Sequence, residues 1–445
     1  MEIAPQSSSA TVAERSMTSA SSNGRAWLIA LLFALPMLSY FGLIASYAEN
    51  IPFWDDFDSI LKFLSKSPPS WHDLAAHHNE HRIIWTRAVA WVCHLATGPI
   101  DLRLLMWIGN LTTVALTLLL ASRWRAQNLP ILFFLPVVYI LFQPQSWENM
   151  TWAMAALQNC SIWLFAALAL ACWQFATWRW QVAALAWATV AAGTSGNGIF
   201  VPLVLIIWQS VRCLSPAAAT TAPERRANYA ALLLVLTFTV VITSLYFAGY
   251  QRPEHHPGIV EQFKTPVRLV RFLGVLCGAF VSDLGRPFAF VAGLGQLACF
   301  GLLTYRRYDH RNPMIYYLLL FCFGSMLAAT LTRAGFGVVQ ATSSRYRVMP
   351  LLALALNYMA LYELYPLRLS KQRLFVGLMA VLLVAQVASF TKARYRLRIH
   401  RAELLARLNA WRESGEGLSY PDPQLADEAL RTALDRNVYR LPSDE

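Results

Sequence analysis

Apolar runs close to the length of a bilayer crossing recur along this chain, and they constrain its fold more than any other feature. They fall at 26–46, 104–122, 129–143, 153–176, 180–193, 197–213, 228–249, 286–304, 313–332, 346–365 and 373–391. A helix needs about 20 residues to cross a hydrocarbon core of about 30 Å. In lipid every backbone N–H and C=O must bond within the protein, so such runs are helices or strands of a closed barrel. Barrel strands would alternate polar and apolar at every second residue, and these runs do not. The expected fold is all-α, a polytopic transmembrane helix bundle of eleven spans. Composition agrees: 14% of the residues are charged, against roughly 25% in a globular domain.

Charge sets the orientation. Arg15 and Arg25 precede the first run, which puts the N-terminus in the cytoplasm. Arg123, Arg125, Arg212, Arg225 and Arg226 then fall inside only if 47–103 form one large external loop. Residues 1–25, rich in Ser, Ala and Thr, are expected to be a disordered cytoplasmic tail. The first run is followed by Tyr47-Ala48-Glu49-Asn50, not by a small-residue cleavage site, so it is expected to stay as a span. The transmembrane domain covers 26–391, and 392–445 is expected to be a short amphipathic tail, two helices around the turn GEGLSYPDPQ. Two further stretches carry charge among apolar residues. The Trp-rich 83–97 is expected to lie at the membrane interface. A full span at 266–283 would put Arg306, Arg307 and Arg311 outside, whereas an interfacial or re-entrant helix, the favoured reading, keeps them inside and places the C-terminal tail outside.

The net charge of +12 does not point to nucleic acid. Lys and Arg in cytoplasmic loops supply such an excess in membrane proteins, and no basic stripe with interleaved aromatics marks a soluble domain. The seven cysteines sit in or beside apolar runs without paired spacing, as small buried residues do.

The first external loop is far longer than the common connection of about 4–6 residues, and its polar content is concentrated. It opens IPFWDDFDSILKFLSK. Phe57, Ile60, Leu61 and Leu64 recur at helical spacing, so 56–66 are expected to form an amphipathic helix lying on the membrane, with Asp55 and Asp56 at its N-terminus. One carboxylate there would suffice as a cap. Two adjacent ones with Asp58 a turn later, held at bilayer level, fit a general base toward a hydroxyl or oxygen ligands for a divalent cation such as Mg or Mn.

Further along, His77-His78-Asn79-Glu80-His81 matches the H-x-x-E-H pattern of inverted zinc peptidases. That chemistry needs a third ligand from a soluble catalytic domain, and nothing of that size is present. The remaining readings are the polar start of the 83–97 helix and a substrate-facing segment. Imidazoles, carboxylates and cations gathered at the lipid surface (His78, Glu80, His81 and Arg82) suit recognition of a phosphate and its polar neighbour. Other polar points outside the spans are Glu148 and Asn149, His255 in the loop after 228–249, and Arg345 and Arg347 at the start of 346–365. The turn GTSGNG at 193–198 reads as a tight helical hairpin.

Together these features resemble the GT-C superfamily of integral-membrane glycosyltransferases, with their cytoplasmic N-terminus, many spans, long first external loop with interfacial helices and acidic residues just past the first span. WDDFD carries the local match, at Asp55 and Asp56. The resemblance covers the whole membrane-spanning plan, and its one local motif is the acidic pair. The tail departs from it, being shorter than the external domain of many members. The resemblance implies a transferase moving a sugar from a polyprenyl-phosphate carrier to an envelope glycan, lipid or protein at the external face of the cytoplasmic membrane. Asp55 or Asp56 would serve as base, and Arg82 or Arg345 would neutralise the departing phosphate. The lack of any phosphate-cradling Gly-rich loop fits a lipid-linked donor independently. The rivals are a transporter or flippase for a lipid-linked or polar solute, which predicts charges buried in mid-span, and a non-catalytic scaffold.

Overall fold

A computed structural model describes residues 9–66, 68–215, 221–251, 263–365 and 372–442. Helices account for most of it, and the one sheet among the described residues is a two-stranded hairpin. Eight helices among them are long and apolar enough to cross a bilayer: Trp27–Tyr47, Leu102–Ala126, Ala153–Trp173, Gly196–Leu214, Ala222–Phe247, Arg286–Tyr305, Pro313–Phe336 and Arg373–Ser414. The chain is a multi-pass, all-α membrane protein.

Three of the eleven expected spans are shorter than a crossing. The run 129–143 breaks into a 3-10 turn, Ile131–Phe134, and a seven-residue helix, Leu135–Leu141, with a proline in its first turn. Trp178–Ala192 has 15 residues and Val348–Leu364 has 17, about 22 and 26 Å at 1.5 Å per residue. Residues 135–140 and much of Val348–Leu364 are buried in the bundle, so protein rather than lipid surrounds them and the length rule loses its force. Pro266–Cys277, at 12 residues, is about 18 Å long and also stops short of a crossing.

Pro266–Cys277 is pressed against Arg286–Tyr305. A Cβ on Gly278 would run into the Ala289 carbonyl, and one on Gly293 into the Gly274 carbonyl, so these helices meet backbone to backbone. No rotamer change can relieve such a clash. Gly293→Val should therefore cost about 1–3 kcal/mol, visible as a lower melting temperature of the detergent-purified protein. Wild-type melting would mean that the helices do not touch there.

The loop and the tail form a second core outside the main bundle. Phe57, Ile60, Leu61 and Ile100 pack with Leu404, Leu408, Leu430 and Tyr439. The apolar stripe of 56–66 is thus buried in protein, not laid on lipid, because the tail supplies its partner. The segment is also not a plain α-helix: Phe57–Leu61 is a π-turn followed by Lys62–Leu64. Backbone bonds tie the two parts, from Trp54 N–H to Ser419 (2.8 Å) and from Ile100 N–H to Val438 (2.7 Å). Loop and tail therefore sit on the same side of the bundle. The expected break at 392 is absent too. Gln372–Ser414 is one 43-residue helix, and after Gly377 it meets no Gly or Pro until Gly415, whose φ is +79°.

Candidate active site

The two adjacent aspartates part company at a sharp turn. Trp54 takes a left-handed conformation, φ +47°, uncommon for a bulky side chain. The following turn sends Asp56 inward, where it is fully buried. Its Oδ1 accepts the Met154 N–H at 2.9 Å and its Oδ2 the Phe53 N–H at 3.2 Å. Met154 lies in the first turn of the short helix Ala153–Ala155, so Asp56 caps that helix from a distance. Burial pushes its carboxyl up to about 7, against the pull of these two amides. Both Asp56 oxygens are thus taken up by backbone amides inside the protein.

Asp55 faces the other way. Its side chain keeps 23% of its surface exposed and its Oδ1 lies 3.5 Å from Nε2 of His78. The opposite ring nitrogen, Nδ1, is 2.9 Å from Asp58 Oδ2. A buried imidazole thus stands between two carboxylates. Burial works against its charge, but the hydrogen bonds and charges of Asp55 and Asp58 outweigh it and raise His78 to about 9. Near neutral pH the ring is a cation, its Nδ1–H donating to Asp58 and its Nε2 side facing Asp55 as a longer ion pair. Asp58, bonded to His78, is held below the usual carboxylate range. The Asp55 contact is long for a hydrogen bond, which leaves that carboxylate with free lone pairs.

This cluster has a pH signature. His78 binds its proton more tightly when folded, so the pairing stabilises fully below pH 6.5 and is lost as pH rises through about 9. The contribution is on the order of 3 kcal/mol. Unfolding measured from pH 6 to 10 should show this loss, and His78→Gln should flatten it. An unchanged profile in that variant would place the titration elsewhere.

His78 reaches this position because HHNEH is a hairpin. Strand β1 (His77–His78) pairs antiparallel with β2 (His81–Arg82), in register His78 to His81. Asn79 at the turn has φ +51°, which asparagine tolerates. The helical spacing that H-x-x-E-H requires is absent, and the zinc-peptidase pattern with it. The polar start of a helix is corrected likewise, the helix beginning at Ile84. Arg82 clamps the hairpin through carbonyls of Ala75, Tyr246 and Ala248, so it is engaged with backbone and not poised for a phosphate. Glu80 pairs with Arg333 and lies 3.6 Å from His81. The His81 ring occupies the space that a Cβ on Gly196 would need, which gives the 193–198 turn a role beyond reversing the chain.

A second wall comes from 143–149 and 343–347. Glu148 accepts from the Ser344 hydroxyl and the Arg345 N–H (3.1 Å). Asn149 is buried, donating to the Arg345 carbonyl (3.0 Å) and accepting from Asn159 (2.9 Å) on the π-turn Ala156–Cys160. Arg345 lies over the Tyr346 ring at 5.3 Å, and its Nε is buried without a hydrogen-bond partner. Arg347 pairs with Asp283 at 2.8 Å. The two walls join through rings, Phe53 to His400 at 4.7 Å and His400 to Trp147 at 5.6 Å. His255 lies outside the described residues.

Sequence reasoning missed Arg333, Asn159 and Tyr420. Tyr420, from the tail, packs on Phe57 at 6.1 Å. Burial, then the charges of Asp58 and Asp55, push its phenol up to about 12, so it stays a donor near the acids. No local signal marks these residues, since each acquires its place from a distant partner.

The acidic pair does not fit a divalent cation. Both Asp56 oxygens are occupied by amides, and the space between Asp55 and Asp58 already holds the His78 cation. Among the described residues no group of three His, Cys, Asp or Glu is arranged to hold a metal.

No protein-family model matches the chain, and no curated protein matches it. Two solved structures resemble it at low identity. One is ArnT from Cupriavidus metallidurans bound to undecaprenyl phosphate, with 14% identity, a TM-score of 0.44, and coverage of 93% of this chain and 76% of that one. The other is ArnT from the same organism in the apo state, with 15% identity, a TM-score of 0.46, and coverage of 94% and 76%.

Proposed function

We propose that this chain is an integral-membrane glycosyltransferase that moves a sugar from a polyprenyl-phosphate carrier to a hydroxyl of an envelope glycan, lipid or protein. The observation that carries the reading is the partly exposed Asp55 carboxylate beside a buried imidazolium that Asp58 fixes from behind. A base needs an open lone pair and a fixed position. Asp55 has both, and Asp56 has only the second.

In this reading Asp55 takes the proton of the acceptor hydroxyl as its oxygen attacks the anomeric carbon. The bond from that carbon to the phosphate oxygen breaks on the opposite side, inverting the centre and releasing the carrier as its phosphate. Negative charge grows on the departing phosphate, and the Arg345 guanidinium, with no ion pair among the described residues, supplies the counter-charge. His78 holds the base in place. Tyr420 supplies a phenolic donor on the same side. The site would face outward from the cytoplasmic membrane, with the N-terminus in the cytoplasm.

The experiment is conversion of labelled polyprenyl-phosphate sugars by membranes containing the chain, with carrier and acceptor fractions separated afterwards. Label leaving the carrier for the acceptor supports the reading. Donor that remains intact under all conditions counts against it.

A further inference from the structure

We propose a second binding site, one that takes a phosphate group, in the cavity between the 143–148 turn, the 342–347 turn and the outer part of Gln372–Ser414. The cavity measures about 350 Å³ and is lined by Gln145, Glu148, Asp283, Arg347, Lys392 and Arg396, with hydroxyls of Ser343, Ser344 and Ser389. Ligand pockets commonly span about 300–1,000 Å³.

Its charges do not cancel. Three cations face two carboxylates, and Glu148 is already engaged by the Ser343 and Ser344 hydroxyls and the Arg345 N–H. Asp283 alone serves two cations, Arg347 at 2.8 Å and Lys392 at 2.8 Å. The other bonds of Arg347, to Thr342 O at 3.4 Å and Gln145 Oε1 at 3.5 Å, are long and easily exchanged for a better acceptor. Arg396 is exposed and has no partner among the described residues. Convergent cations, hydroxyls and an amide around one opening match the acceptor oxygens of a phosphate.

Position narrows the ligand. Lys392 is the first charged residue after the apolar run 373–391, so the cavity opens where that helix leaves its apolar stretch. Lys392, Arg396 and His400 follow at four-residue steps along one helix face, about 6 Å each, and His400 touches Phe53 and Trp147. The phosphate therefore sits at headgroup level, beside the wall of the acid site. That it belongs to a substrate of the transfer rests on the function proposed above. The binding itself does not.

The test uses the purified full chain in an uncharged detergent, titrated calorimetrically with dioctanoyl phosphatidic acid, dioctanoylglycerol and inorganic phosphate. Wild type should bind the phosphatidic acid and not the diacylglycerol. Arg396→Gln, which removes an exposed side chain, should weaken that binding roughly tenfold, and Lys392→Gln should act in the same direction. Asp55→Asn should bind as wild type does, so failure of the catalytic reading and failure of this one are separable. Inorganic phosphate binding as tightly assigns the site to free anion, and much weaker binding assigns it to a lipid headgroup; either supports a phosphate site. Equal affinity in Arg396→Gln and wild type, equal binding of diacylglycerol, or no binding at all overturns it.

Discussion

Asp55→Asn should lower turnover at least about a hundredfold, the usual contribution of a positioned general base, and leave the protein folded. The substitution keeps the shape of the side chain and removes its capacity to take a proton. It removes one of the two carboxylates that keep His78 charged, so it should cost part of the stabilisation on the order of 3 kcal/mol carried by that cluster, and no more, because Asp58 remains. His78 keeps its tighter 2.9 Å bond to Asp58, so the hairpin stays seated. Melting temperature should fall modestly and donor binding stay near wild type while turnover disappears. Retained turnover in a folded Asp55→Asn protein would remove Asp55 from the chemistry.

Asp56→Ala should do the reverse. It leaves the N–H groups of Met154 and Phe53 buried without their acceptor, at about 1–3 kcal/mol for each unsatisfied donor. The expected result is a severe loss of melting temperature and yield, with the molecules that do fold retaining measurable turnover. Asp56→Asn should be milder, since its amide oxygen can still accept from one of the two N–H groups. Stable, inactive Asp56→Ala protein would mean that the pair shares the chemistry after all.

The contrast between these neighbours shows where the sequence stops being readable. WDDFD outside the first span marks a polar site, and that much was legible. Which aspartate points inward depends on a left-handed Trp54 and on an amide 98 residues away, Met154. Helical periodicity correctly found the apolar stripe of 56–66 but assigned it to lipid, because its covering residues, Leu404, Leu408 and Leu430, lie in the tail. Two misreadings had local signals. Asn79 is a residue that tolerates a left-handed turn, and the stretch between Gly377 and Gly415 contains no breaker, which predicts one long helix. Arg333 with Glu80, and Asp283 with Arg347 and Lys392, had none. Those pairs are made by the packing of the bundle.

The most direct test of the whole account is the fate of the donor in sealed vesicles containing only the purified chain, a labelled polyprenyl-phosphate sugar and a hydroxyl acceptor. The expected result is cleavage at the anomeric carbon, with free polyprenyl phosphate and labelled acceptor appearing together and in equal amounts. Donor recovered whole on the opposite leaflet, with no carrier released, would contradict it and make the chain a transporter.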